Sequence, residues 1–370
     1  MQRNFTILIC IISILLLVGC TIEQTSLPPS THPLKDNSIS MKKIHSIIPI
    51  NITKDQFERV YGWLDNHHIL YSFTSEGKYI LNKHNIMNGE TNVIFTSESP
   101  IVNVLIHESK EQIFVHTSPN GHLAQVYFMD NKGEITFETA IESFELAYEW
   151  NDFNPNIMLT TAFYEDWTFK VHKINVSNQQ MEEIDNIQPF YKWLSEEDIL
   201  IQSWAEDEMS FFAPLIRKSL NQRDDSSSVM QEVFRYDTFS DTVMVITVSD
   251  EIQSTLQYSF YTQDFSKLLF ELSIPSLTQY SDWQVPYYDF VSTQSKFLTF
   301  APLNHGSVDL YTDGYNLISL DLVVGEDVIV FENMENKPLS CSPDGLKCLY
   351  GFELEEVLDL QKGIRISLIK

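Results

Sequence analysis

From about residue 57 onward, short apolar runs alternate with polar stretches, and several of these runs recur at a fixed spacing. Tyr61-Gly62-Trp63-Leu64-Asp65 leads, six residues after its Trp, to Ile69-Leu70-Tyr71, and Tyr191-Lys192-Trp193-Leu194-Ser195 leads over the same distance to Ile199-Leu200-Ile201. Tyr148-Glu149-Trp150 reaches Ile157-Met158-Leu159 after seven. Trp150 and Trp193 stand 43 residues apart, and Trp63 and Trp150 stand 87 apart, which is two such periods. A step of 44 from Trp63 lands on His107, six residues before Ile113-Phe114-Val115, so a second unit exists with His in the Trp position. Four consecutive copies of one template point to a repeat architecture.

Each unit continues in the same manner. Residues 79–83, 126–128, 169–174 and 233–237 are rich enough in β-branched and aromatic side chains to form third strands. Asn88-Gly89, the stretch 130–134 and Ser177-Asn178 are turn chemistry that returns the chain into a fourth strand such as Val93-Ile94-Phe95. Four short antiparallel strands in roughly 40 to 45 residues make one blade of a β-propeller. Residues 69–73 are apolar on both faces, which suits a strand covered by neighbouring blades; an open antiparallel sheet would leave one face wet. The three Trp are read as packing anchors between blades, with ligand-stacking rings as the alternative.

Beyond residue 200 the period loosens. Residues 261–270 and 342–350 still read as strand, acidic turn, strand, and 293–300 is a weaker instance assigned to the same blade as Leu268. The stretch 204–230 reads as an insertion, with a short helix over 213–220 that has Pro214 in its first turn, and with Phe211-Phe212 packing the loop or capping a pocket. With that insertion removed, residues 43–370 hold six blades, seven being the alternative.

The amino terminus decides the compartment. Residues 5–18 are uncharged and follow a lone Arg3, a signal-peptide profile. As a helix this stretch is about 21 Å long, short of the roughly 30 Å hydrocarbon layer. Leu17-Val18-Gly19-Cys20 resembles the lipobox of bacterial lipoproteins, which implies cleavage between Gly19 and Cys20 and a diacylglyceryl group on the Cys20 sulfur. Two acyl chains hold a protein stably where one does so only reversibly. Residues 20–42, rich in Ser, Thr and Pro, then form an extended spacer outside the cell membrane.

Charge narrows the partners. The chain carries a net charge of -27, and loss of residues 1–19 removes only Arg3, leaving -28, so nucleic acid and anionic lipid are excluded by electrostatics. Contact with the membrane is through the anchor alone. Of four cysteines, Cys10 leaves with the signal and Cys20 takes the lipid. Cys341 and Cys348 flank a Ser-Pro-Asp-Gly turn that brings them within disulfide range; two reduced, buried strand cysteines are the other reading. A metal site is disfavoured there, since no His or further Cys lies nearby.

Signatures of catalysis are missing: the sequence has no G-x-S-x-G elbow, H-E-x-x-H pair, phosphate-binding glycine loop or EF-hand loop. The acidic runs Glu182-Glu183, Glu196-Glu197-Asp198, Glu206-Asp207-Glu208 and 353–356, like His67-His68, read as solvated turns or blade edges. No cofactor is expected.

The lipobox, the Trp-containing repeat and the stretch 309–321 (DLYTDGYNLISLD) together resemble the YqgU-like lipoproteins of Gram-positive bacteria. The resemblance implies a six-bladed propeller behind a lipid anchor and supplies no catalytic residues. The expected function is a membrane-tethered binding or scaffolding module for a protein, peptide or cell-wall ligand. The alternative is a hydrolase or lyase acting on a cell-envelope substrate through carboxylates or His gathered in the central funnel.

Overall fold

The structure, a computed structural model, describes residues 47–204, 210–221, 226–249 and 254–369. Gly19, Cys20, the signal segment and the spacer lie outside the described residues.

The repeat template folds as its hydrophobic pattern dictates. The run after each Trp becomes the second strand of a four-stranded antiparallel meander, and it is buried on both faces: in Ile157–Phe163 the first six positions are all buried. Among the described residues there are seven such sheets, spanning 57–97, 101–142, 145–184, 192–233, 235–275, 288–334 and 339–367, here called blades 1 to 7. A small three-stranded sheet (Leu277–Gln279, Asp282–Gln284, Gly306–Ser307) accompanies blades 5 and 6.

A single blade has too little apolar mass to dry both of its faces, so the core is divided among the gaps between blades. Seven apolar clusters occur among the described residues, and each draws its side chains from two neighbouring blades. One joins Trp63, Ile69 and Tyr71 of blade 1 to Leu349 and Val357 of blade 7. As many clusters as blades means that the ring is closed. The junction between first and last blades is further fixed by the Trp63 indole N–H donating to the Ser340 carbonyl (2.9 Å), by the Val60 N–H donating to Glu353 (2.9 Å), and by a parallel bridge between Ile50 and Ile369.

The repeat Trp side chains end the innermost strands and are buried, Trp63 and Trp193 at 2% exposure and Trp150 at 8%. Trp193 donates to the Glu149 carbonyl of the preceding blade (3.1 Å). His107 substitutes for Trp as the spacing implied: it is buried against Trp150 and its Nε2 bonds the Asn151 carbonyl of the next blade at 3.0 Å. Asn151 in turn donates to Ser195 and Glu196 one blade further on. At the same end the hairpins are closed by Asp or Asn side chains that accept N–H groups two or three residues ahead, as at Asp65, Asn85, Asp130, Asn175 and Asp321. Some of the acidic residues, Asp65, Asp130 and Asp321 among them, are therefore turn chemistry.

Five expectations are corrected. Residues 213–220 are not a helix and 204–230 is not an insertion: Ala213–Ser219 and Ser226–Val233 are the third and fourth strands of blade 4, paired to Asp198–Gln202. Restoring those strands to the ring raises six blades to the alternative, seven. Residues 233–237 are not a third strand, because blade 4 ends at Val233 and Arg235–Phe239 opens blade 5. Residues 293–300 belong to blade 6, whereas Leu268 begins the last strand of blade 5. Phe211 and Phe212 pack on Trp283 of the small sheet (5.9 and 5.8 Å between ring centres).

Cys341 and Cys348 are direct cross-strand partners in the first hairpin of blade 7, and their sulfurs are bonded. Alkylation of the denatured, unreduced protein should leave both blocked; ready labelling of the two would contradict the bridge. Trp150→Ala, which empties an interface between blades 2 and 3, should cost about 3–5 kcal/mol in chemical denaturation. Trp167→Ala, at a side chain 93% exposed, serves as the control and should be near neutral. Equal effects would mean that the repeat Trp are not interblade anchors.

Candidate functional site

The innermost strands present one set of side chains to the next blade and the other to the ring axis. Groups from distant blades meet there: Glu108 of blade 2 acts electrostatically on both Asp152 of blade 3 and Asp289 of blade 6. At the centre of this gathering, the Lys192 ammonium lies 3.3 Å from Glu149 Oε2 and 3.1 Å from Asp237 Oδ1, and the Tyr288 hydroxyl donates to Asp237 Oδ2 at 2.7 Å. Glu108 and Lys110 form a further pair at 3.6 Å. Five carboxylates thus share two lysines.

Scarcity of cations sets the protonation states. Burial raises the Glu149 carboxyl to about 7; Lys192 opposes the rise and Asp237 adds to it. Asp152 is exposed on its outer side, yet desolvation by the neighbouring protein and then the Glu108 charge push its carboxyl up to about 6. Burial likewise raises Asp289 to about 6 against the Cys341 N–H, which donates to its Oδ2 at 2.6 Å. For Lys192, burial alone would lower the ammonium, yet Asp237 and Glu149 outweigh it and hold the charge firmly.

Beside this network the channel wall is open. The innermost strand of blade 4, Lys192–Trp193, is only two residues long, against six in blade 3 and five in blade 5. Pro189 has no N–H to offer a ladder, and Phe190 adopts a positive φ of 68°, so the chain leaves the extended path before Tyr191. The shortfall leaves a cavity of about 280 Å³ lined by residues of blades 3, 4 and 5, among them Tyr148, Glu149, Tyr191, Lys192, Arg235 and Tyr236.

None of the acidic runs conspicuous in the sequence lies here. Glu183 pairs with Lys170 across the two outer strands of blade 3, Asp198 with Arg217 between the second and third strands of blade 4, and Glu353 and Glu356 with Arg59 and Arg365. Glu206, Asp207 and Glu208 lie outside the described residues. His68 bonds Asp65 at 2.7 Å. Among the described residues no group of three or more His, Cys, Asp or Glu side chains is placed to hold a metal ion. Glu149, Asp152, Lys192, Asp237 and Asp289 were not singled out by sequence. One signal was available: Glu149 and Lys192 each stand immediately before a repeat Trp, a template position that faces the axis.

With the geometry in place, comparisons with other proteins identify the fold. The model of the YqgU-like 6-bladed beta propeller domain family matches residues 85–351. The uncharacterized lipoprotein YqgU of Bacillus subtilis (strain 168) is 24% identical over 347 residues, covering 94% of each chain. The crystal structure of the uncharacterized protein lmo1340 from Listeria monocytogenes EGD-e superposes with a TM-score of 0.80 at 20% identity, covering 88% of this chain and 98% of that one. The β-propeller domain of the Trilobed protease from Pyrococcus furiosus follows at 0.54 and 10% identity, covering 85% and 99%. The family's description counts six blades; the matched stretch holds blades 2 to 6 whole and parts of blades 1 and 7 of this chain.

The raised Glu149 carboxyl has a consequence for stability. Between about pH 4.5, where an unfolded Glu titrates, and about pH 7, the folded chain holds a proton that the unfolded chain has lost, so this site's contribution falls as pH rises through that window. Glu149→Gln removes the titration. Its Tm advantage over the parent protein should grow between about pH 5 and about pH 8, and a constant difference would contradict the assignment.

Proposed function

The chain belongs to the YqgU-like 6-bladed beta propeller domain family, and on that premise we propose that it is an extracytoplasmic binding module moored to the cell membrane by a lipid on Cys20. The observation that carries the binding reading is the preformed cavity in the channel wall. It is concave, with four aromatic side chains in its walls beside a few fixed polar groups, the arrangement typical of small-ligand sites. The charged groups beside it are committed to one another: Lys192 to Glu149 and Asp237, and Arg235 to Asp282. The two Lys192 pairs tie blades 3, 4 and 5 together, and the Arg235 pair ties blade 5 to the small sheet. A 24% identical relative described as a lipoprotein supports the mooring, as do Gly19 and Cys20 in their lipobox-like context.

A second reading, a hydrolase or lyase of envelope material, draws support from one feature. Glu149 near 7 and Asp152 near 6 are carboxyls suited to proton transfer at neutral pH, and they share one channel.

Two measurements test the proposal. Cys20→Ala should move the protein out of the membrane fraction or leave an unprocessed precursor, whereas unchanged metabolic lipid labelling would refute the anchor. Incubating the purified protein with envelope extract should raise its Tm while the extract's composition by mass spectrometry stays constant. Consumption of an extract component, abolished in Glu149→Gln, would decide for the enzyme.

A further inference from the structure

The cavity between blades 3, 4 and 5 has a chemistry narrower than binding in general, and this inference rests on the binding reading. We propose that it receives a neutral polyhydroxylated ring, a single sugar unit of a glycan, stacked against its aromatic wall.

Charge balance argues for a neutral ligand. Glu149, Lys192 and Arg235 line the cavity, and each is already paired: Glu149 with Lys192 at 3.3 Å, Lys192 also with Asp237 at 3.1 Å, and Arg235 with Asp282 at 3.0 Å. The Arg235 guanidinium is further committed to the Phe234 ring, 4.3 Å from its centre, and to the Phe234 carbonyl. A cationic ligand would lie beside Lys192 and Arg235, and an anionic one beside Glu149 and Asp237. Either would have to break an ion pair. A sugar hydroxyl carries no charge and can bond to these groups without displacing them.

The walls argue for a ring with flat apolar faces. Tyr148, Phe190, Tyr191 and Tyr236 supply aromatic surface. Three of them are fixed in place: the Tyr191 hydroxyl lies 3.0 Å from Thr161 Oγ1, the Tyr236 hydroxyl donates to the Leu200 carbonyl at 2.7 Å, and the Phe190 ring stacks on Phe163. A phenol oxygen that donates keeps acceptor capacity, which suits sugar O–H groups. Phe190 is 75% exposed and held at a positive φ, a conformation that bulky side chains rarely adopt and that recurs at binding sites. At about 280 Å³ the cavity is just below the roughly 300 Å³ at which pockets for drug-sized ligands begin, so it suits one ring of a longer chain.

The test is saturation-transfer NMR on the full-length protein in detergent, with N-acetylglucosamine, cellobiose and tri-lysine as probes at up to roughly 10 mM, a range that detects millimolar affinity. Transfer to the two sugars is expected, reduced at least tenfold in affinity by Phe190→Ala, which removes an exposed ring, and by Ala147→Phe, which fills the cavity. Both variants are checked for an unchanged circular dichroism spectrum, and Phe190→Ala alone suffices if Ala147→Phe misfolds. Sugar binding that survives Phe190→Ala overturns the proposal, as does the absence of sugar binding. Binding of tri-lysine alone overturns it too, while leaving the binding module standing. Cleavage of cellobiose would instead overturn the non-catalytic reading and leave the ligand class intact.

Discussion

Everything in this molecule depends on the inability of one blade to bury its own faces. Inner strands such as Ile157–Phe163 are apolar on both sides, and a lone meander would leave half of that surface in water. Neighbouring blades supply the missing cover, so stability resides in the seven interfaces and the ring has to close to cover the last one. Closure here uses apolar packing and hydrogen bonds between the first and last blades; each blade is drawn from one continuous stretch of chain, and among the described residues no strand is exchanged between the first and last. The hydrogen bonds that reinforce neighbouring blades, His107 to Asn151 and Trp193 to Glu149, span 44 residues each, the period of the repeat itself.

The same arrangement creates the site. Closing a ring of blades turns one edge of every innermost strand toward a common axis, and polar side chains on those edges are forced together whatever their separation in sequence. Glu149, Asp237 and Lys192 lie in three different blades yet form one ion-pair network. Desolvating more carboxylates than cations pushes the titration of the surplus acid groups up toward neutral pH, as at Glu149 and Asp152. The cavity comes from a local failure of the same template: Pro189 and the left-handed Phe190 shorten one inner strand, and the wall opens where its residues would have paired.

Legibility in the sequence followed the strength of the packing constraint. Trp63, Trp150, Trp193 and the His107 substitution announced the period because each must fill a gap of fixed size between blades. Past residue 200 the gap is filled differently: Phe234, Tyr258, Phe260 and Phe297 cluster between blades 5 and 6 without a Trp at the template position, so the period faded. Half of blade 4 was thereby mistaken for an insertion, since Pro214 and the Ser-rich stretch 226–228 read as breakers, although they sit at the start of a third strand and on an outer edge strand. The site was nearly invisible. Its residues are single charges at axis-facing positions, and nothing in a lone Asp289 or Asp237 tells which other blades it will meet.

Ring size is the claim on which both the packing account and the cavity rest. A crystal structure of the full-length protein, read first at residues 213–233, tests it most directly. The account predicts two strands there completing a fourth of seven sheets, with the Trp63 indole on the Ser340 carbonyl closing the ring. Six sheets around the axis, with residues 213–233 outside the ring, would contradict it.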